Sequence, residues 1–154
     1  MELEIRRMTI EDLDRVIDIE EESFSVPWSR DSYESEISRN ILSAYFVAEA
    51  QGRIIGYCGM WFILDEAHIT NIAVQKSFRG KGVGKRLVEC LLEEASKKGI
   101  RNLTLEVRDG NIAARRLYEK MGFVVEGIRP GYYPDNHEDA IIMWKREETA
   151  GSKR

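Results

Sequence analysis

Between Arg79 and Arg86 the chain reads Arg-Gly-Lys-Gly-Val-Gly-Lys-Arg, with three glycines at alternate positions among four cationic side chains. Glycine lets the backbone take φ > 0 and approach a ligand closely, so Gly80, Gly82 and Gly84 can turn several N–H groups inward. The amphipathic run that begins at Val83 reads as a helix, and its first turn offers unpaired N–H groups and the positive end of a dipole. These are the parts of an anion cradle for a phosphate or diphosphate, with Arg79, Lys81, Lys85 and Arg86 around its rim. Taken alone, the loop also suits an ordinary glycine-rich helix start. A Walker A loop is excluded, because the residue five before Gly84 is Arg79 and no hydroxyl follows Lys85 to hold magnesium. A dinucleotide-binding fingerprint is excluded as well, because the third glycine falls one residue early.

The elements that must hold this loop are legible on both sides of it. Upstream, Leu3 to Met8 reads as a short strand. Thr9 is placed to cap a helix bearing Leu13, Val16, Ile17 and Ile19, although Asp12 is short for the acid of a capping box. That helix dissolves at Ser23-Phe24-Ser25-Val26-Pro27-Trp28, and Ser29 caps a second one to about Arg39. Phe24, Val26 and Trp28 on a proline-broken loop read equally well as a bridge between helices or as a binding wall. Tyr45–Glu49 and Ile54–Ile63 around Gly52 form an antiparallel hairpin, followed by a strand from Glu66 to Val74. The helix after the cradle carries an apolar stripe of Val83, Leu87, Val88, Leu91, Leu92 and Ala95 and stops at Gly99. Asn102–Val107 is a strand, Asn111 opens a short helix that stops at Gly122, and Phe123–Ile128 and Ala140–Trp144 are strands flanking an aromatic loop. Strands alternating with helices after an antiparallel start imply an α/β (α+β) chain, with a mixed sheet covered on both faces. The strands ending near Val74 and Glu106 must be parallel, because a helix intervenes.

Composition narrows the function classes. At 154 residues with 43% hydrophobic residues the chain can bury one core, and a single domain is expected over 1–146 with a polar tail at 147–154. A net charge of -4 supplies no global basic field for nucleic acid. Cys58 and Cys90 fall in a strand and a helix, without a Cys-x-x-Cys or a histidine pair, so no metal site is expected and a reduced, cytoplasmic setting fits. His68 and His137 are each isolated and read as structural or surface residues. The first residues lack the apolar core of a signal peptide, and no run approaches the ~20 apolar residues of a membrane helix.

Arg79-Gly80-Lys81-Gly82-Val83-Gly84 after Asn71-Ile72-Ala73-Val74 resembles the acetyl-CoA loop of the GCN5-related N-acetyltransferases, with Arg79, Gly82 and Gly84 at the pattern positions. A second stretch, Asn111 through Leu117-Tyr118-Glu119-Lys120-Met121-Gly122-Phe123, is similar to that family's later motif. The resemblance spans essentially the whole chain. It implies the GNAT fold: a mixed central sheet of about seven strands flanked by about four helices, with two central parallel strands splayed to admit the pantetheine arm. It also implies acetyl-CoA as cofactor, with coenzyme contacts along Ile72, Ala73, Val74, Arg79, Gly80, Lys81, Gly82, Val83, Gly84, Lys85, Asn111 and Tyr118.

A thioester is already activated, so a neutral amine can attack it directly once its proton is accepted and the leaving sulfur is protonated. No covalent enzyme nucleophile is required. Helical spacing puts Asn111, Ala114 or Arg115, and Tyr118 along one side of a helix. By pattern alone Tyr118 reads as core and Glu106 as an edge carboxylate; the resemblance instead implies Glu106 as base and Tyr118 as acid, with the Val74 N–H at the oxyanion.

A closer similarity, to RimI-type and archaeal protein N-terminal acetyltransferases, is carried by Ile19 through Ser29, Leu64-Asp65-Glu66-Ala67, Leu105-Glu106-Val107-Arg108, Gly131-Tyr132-Tyr133-Pro134 and Glu138 through Met143. It implies protein or peptide N-termini as partners, ribosomal proteins among them, gripped by Phe24, Pro27, Trp28, Asn71, Tyr132 and Tyr133. Asp135-Asn136-His137 and Val26 depart from the usual pattern, which leaves the preferred first residue open. Lysine or small-amine acetylation, and coenzyme binding without catalysis, are the alternative functions.

Overall fold

Two faces of one sheet carry the two cores. The computed structural model describes residues 1–146, and the expected polar tail lies outside them. Seven strands, β1 (Glu4–Arg7), β2 (Ser43–Ala50), β3 (Arg53–Ile63), β4 (Glu66–Val74), β5 (Asn102–Arg108), β6 (Val124–Arg129) and β7 (Ala140–Lys145), form a sheet of order β1-β2-β3-β4-β5-β7-β6. Helices α1 (Leu13–Ser23) and α2 (Arg30–Arg39) pack on one face. Helices α3 (Val83–Lys97) and α4 (Ile112–Lys120) pack on the other. Among the described residues no helix is long and apolar enough to cross a membrane.

The local signals mostly behave as their chemistry dictates. Ser29 caps α2 by accepting the Ser32 N–H at 3.1 Å, and Asn111 caps α4 by accepting that of Ala114 at 3.2 Å. Gly122 stops α4 with φ +99°. Along α3 the expected stripe is buried except for Leu92, which is half-exposed. Asp12 departs from expectation: its carboxylate reaches back to the Thr9 N–H at 2.7 Å. Residues 10–12 form a 3-10 turn, tighter than an α-turn, which lets the shorter acid span the gap. Arg6 grips the same carboxylate through two bonds of 2.8 Å and holds it below the usual range.

Every adjacent strand pair is antiparallel except β4 and β5. That parallel ladder comprises only Glu66–Asn102, Ala67–Leu103 and His68–Thr104. Beyond His68 the two strands part, as the family resemblance implies. A bulge at Thr70, where Gly59 faces Asn71 and Met60 faces Ile69, resets β4 just past the parting point. Thr70 and Asn71 therefore both turn toward α1 and α2, where Thr70 meets the Tyr45 hydroxyl and Asn71 meets that of Tyr33. Ile69 and Ile72 face the α3 core.

Gly59 faces Tyr45 across the β2–β3 ladder. A Cβ there would stand 2.1 Å from the Tyr45 ring, so only glycine lets this buried ring lie down on the sheet.

Candidate active site

The parted strands open a cleft of about 710 Å³ lined from five directions. Ile69 to Ile72 of β4 form one wall and Leu105 to Arg108 of β5 the other. Asn111, Ala114 and Tyr118 of α4 close one end, while the α1–α2 loop (Phe24, Val26, Trp28) and the β6–β7 loop (Tyr132, Tyr133, Pro134) frame the opposite side. Residues far apart in sequence thus converge on one space. The alternative left open for α4 resolves to Ala114, since Arg115 turns away to Asp109 at 3.0 Å.

The phase of the β3–β4 ladder decides which backbone groups face the gap. Gln75 donates to the Ile55 carbonyl at 2.7 Å, so the pairs Gln75–Ile55 and Ala73–Tyr57 are hydrogen-bonded, and the alternating pairs Val74–Gly56 and Ile72–Cys58 are not. The N–H and C=O groups of Ile72 and Val74 consequently point away from β3, toward the gap. Arg79 Nε donates to the Val74 carbonyl from that side at 3.0 Å.

Below the gap the cradle has the expected form with two revisions. Gly80 and Gly82 lie at φ +77° and +84°, and a Cβ built on either would meet nothing within 4 Å. Gly82 is the N-cap of α3 and supplies no side-chain cap, so the first-turn N–H groups stay available to an anion. Gly84 does not turn the loop. It lies inside the first turn of α3, where a Cβ would press on Leu117 at 3.2 Å, so its role is to let α4 approach. Arg79 is not a mobile rim charge, because it ties the loop to Val74 and to Ser23 at 3.4 Å.

Three other expected residues keep their side chains out of the cleft lining. Ala73 is buried under α1 with its backbone paired to Tyr57, and the Val83 side chain is buried in the α3 core, although its N–H belongs to the uncapped first turn of α3. Pro27 turns its loop but lies exposed outside the lining. Lys81 and Lys85 are exposed beside the cradle.

Glu106 is half-buried in the β5 wall, with His68 Nε2 at 3.3 Å from one oxygen and Arg129 Nε at 3.8 Å from the other. The hydrogen bond to His68 lowers its pKa below the usual carboxylate range, burial opposes this, and Arg129 adds to the lowering. In the sequence His68 is an isolated histidine. The signal was in the register: His68 pairs with Thr104, and Glu106 follows two residues later on the same face. Tyr118 is buried against Phe123, and burial foremost, with Cys58 and Tyr133 nearby, pushes its phenol upward, so it stays protonated.

The framing loops are fastened to one another. Ser25 donates to Asp135 at 2.6 Å, and Arg108 bonds Asp135 at 3.0 Å and Glu138 at 3.4 Å while its guanidinium lies 4.0 Å over the Tyr133 ring. Asp135, a point of departure from the pattern, is therefore a bridging residue. Trp28 leans on Tyr33 and stacks near Trp61 while also lining the cleft.

The acetyltransferase (GNAT) family model matches residues 13–123. The chain belongs to the GNAT acetyltransferases. Among its relatives is a Bacillus subtilis protein provisionally named a [ribosomal protein bS18]-alanine N-acetyltransferase, 45% identical over 91% of this chain and 93% of that one. The crystal structure of the ribosomal-protein-S18-alanine N-acetyltransferase from Escherichia coli superposes with a TM-score of 0.86 at 32% identity, over 99% of this chain and 100% of that one. The PaiA N-acetyltransferase of Thermoplasma acidophilum, solved with coenzyme A, gives 0.76 at 26% identity over 96% and 100%. This acetyltransferase therefore uses acetyl-CoA. The empty space over Gly80 and Gly82 and the uncapped start of α3 fit its diphosphate.

Proposed function

We propose that this acetyltransferase acts on the free α-amino group of protein N-termini, including those of ribosomal proteins, as a cytoplasmic enzyme. The observation that carries the reading is the aromatic groove framed by Phe24, Trp28, Tyr132 and Tyr133, which leads between two fastened loops to Glu106. Gly80, Lys81, Gly82 and Lys85 would hold the coenzyme diphosphate at the start of α3, and the backbone edge of Ile72 and Val74 that faces the gap would hold the arm. Bound acetyl-CoA supplies an acetyl group already activated as a thioester.

The remaining chemistry falls to the chain. Glu106 accepts the proton that the attacking nitrogen sheds as its bond to the acetyl carbon forms, with His68 and Arg129 keeping it ionised and oriented. Tyr118, held protonated, serves as the proton donor on the coenzyme side of the gap. The Val74 N–H offers a hydrogen bond where negative charge grows on oxygen. Neither thiol competes as a nucleophile: burial pushes Cys58 well up and Cys90 up to about 11.

The depressed pKa of Glu106 bears on the choice of amine. So weak a base does not strip an ammonium ion, so the substrate must arrive neutral. At neutral pH roughly one in ten α-amines (pKa ~8) is neutral but only about one in a thousand lysine amines (pKa ~10.4), a hundredfold advantage for chain ends. The test is a panel of free-N-terminal peptides against Nα-blocked lysine peptides and polyamines, joined to mass spectrometry of proteome N-termini with and without the protein. Acetylation confined to α-amines is expected. Faster turnover on blocked lysine peptides overturns the reading.

A further inference from the structure

The buried carboxylate of Glu20, 1% exposed, lies at the floor of the cleft and receives donors only. The Tyr33 hydroxyl donates to it at 2.7 Å, the Tyr57 hydroxyl donates to the same oxygen, and the Trp28 N–H donates to the other at 2.8 Å. A phenol has one proton to give, and burial first, then Tyr57 and Glu20, keeps that proton on Tyr33. With it directed at Glu20, the Tyr33 oxygen can only accept from Asn71, whose Nδ2 stands 3.1 Å away. The chain thereby fixes which way round the Asn71 amide sits. Its NH2 faces the tyrosine, and Oδ1 is left over.

That oxygen is the one buried side-chain N or O atom among the described residues with no hydrogen-bond partner. Asn71 is only 6% exposed and lines the cleft. Buried amide oxygens without a donor are rare, because leaving one unmade is costly. The bulge at Thr70 puts Asn71 on the same sheet face as His68, hence as Glu106, but on the opposite lip of the gap.

We propose that Asn71 Oδ1 accepts an N–H from the substrate amine, so that a primary amine is held between Asn71 and Glu106 with one N–H on each. This deepens the α-amine reading and names a substrate limit: the enzyme takes primary amines and discriminates against secondary ones. A neutral primary amine has two N–H groups and a lone pair, which satisfies both lips and leaves the pair free. An N-methylated or prolyl N-terminus has one N–H and must leave one lip unsatisfied. Asn71 is a substrate-positioning residue in this account, and Glu20 and Tyr33 set its orientation.

The test crosses substrate with enzyme. An alanyl peptide and its N-methylalanyl counterpart are assayed with wild type, Asn71→Ala and Tyr33→Phe. Melting temperature and coenzyme A affinity are measured on each protein. Wild type is expected to prefer the primary amine at least tenfold. Asn71→Ala is expected to lose most of that preference by slowing the primary amine, with coenzyme A affinity within twofold. Tyr33→Phe keeps Asn71 but frees its amide to turn, and it should erode the same preference. A preference that survives in both variants, or a loss of coenzyme A affinity in place of amine discrimination, overturns the proposal. Should wild type acetylate lysine peptides instead, the α-amine reading falls, and the comparison is made with lysine against Nε-methyllysine peptides.

Discussion

Gly82→Ala separates the cradle's service to the fold from its service to the coenzyme. Gly82 sits at φ +84°, where an L side chain is strained by roughly 1–2 kcal/mol. Stiffening the unfolded chain offsets about 0.4–1 kcal/mol of that. The new methyl meets nothing within 4 Å, so no packing penalty is added. The net cost to folding is about 1 kcal/mol, a fall in Tm of roughly 2–4 °C for a domain of this size. Gly52, in the β2–β3 turn, is a matched control: φ +76° and nothing within 4 Å, but remote from the cradle. Gly52→Ala should therefore lower Tm by a similar amount. The two variants part company on the ligand. In Gly82→Ala the methyl occupies the space over the loop, and losing one hydrogen bond to a charged phosphate, about 1.5–3 kcal/mol, weakens binding by roughly tenfold to a hundredfold. Calorimetric titration of coenzyme A into both variants and wild type, with thermal melts of each, gives the answer. Equal coenzyme A affinity in the two variants would refute the cradle.

Other outcomes follow from the same geometry. Glu106→Gln should lower kcat/KM by about 10²–10⁴, the usual span for a positioned base, with coenzyme A affinity nearly unchanged. Because the folded pKa of Glu106 is depressed, its contribution to stability is present above its ordinary value near 4.5 and is lost as pH falls through the folded value. The stability difference between wild type and Glu106→Gln should thus shrink in acid melts below that pH, and a difference that grows there contradicts the His68 contact. In rate profiles the acid limb should track the peptide amine near pH ~8, shifting between peptides whose terminal amines differ in pKa. An invariant limb would assign it to the enzyme. Tyr118→Phe should cut kcat by about 10² or more, a larger loss than any in coenzyme A affinity; an unchanged kcat removes Tyr118 as the acid. Gly59→Ala should cost about 1–3 kcal/mol or more, because its Cβ cannot share space with the Tyr45 ring, and an unchanged melt would contradict that contact.

The parts of the molecule legible in the sequence are those set by local chemistry. Ser29 and Asn111 announced their helices because capping is decided within three residues, and the α3 stripe followed from its period. Glycine alternation located the cradle, but it could not separate Gly80 and Gly82, which need φ > 0, from Gly84, which needs room beside Leu117. What stayed hidden depends on register. The Thr70 bulge shifts β4 by one residue and so decides that Asn71, not Ile72, joins the α1 and α2 face. His68 gains meaning only beside β5. In sequence Glu20 is one acid of the run Glu20-Glu21-Glu22, and only the paired tyrosines explain its burial.

The bond between Ser25 and Asp135 spans 110 residues of sequence yet lies at the rim, partly open to water and joined by Arg108. Solvent-exposed contacts of this kind are weak and screened by salt. Their release leaves both cores and the β4–β5 ladder intact. Undoing them would widen the groove without disturbing the sheet, which makes this rim the place where a chain end can enter and the acetylated one depart. Raising the ionic strength should loosen the same fastening.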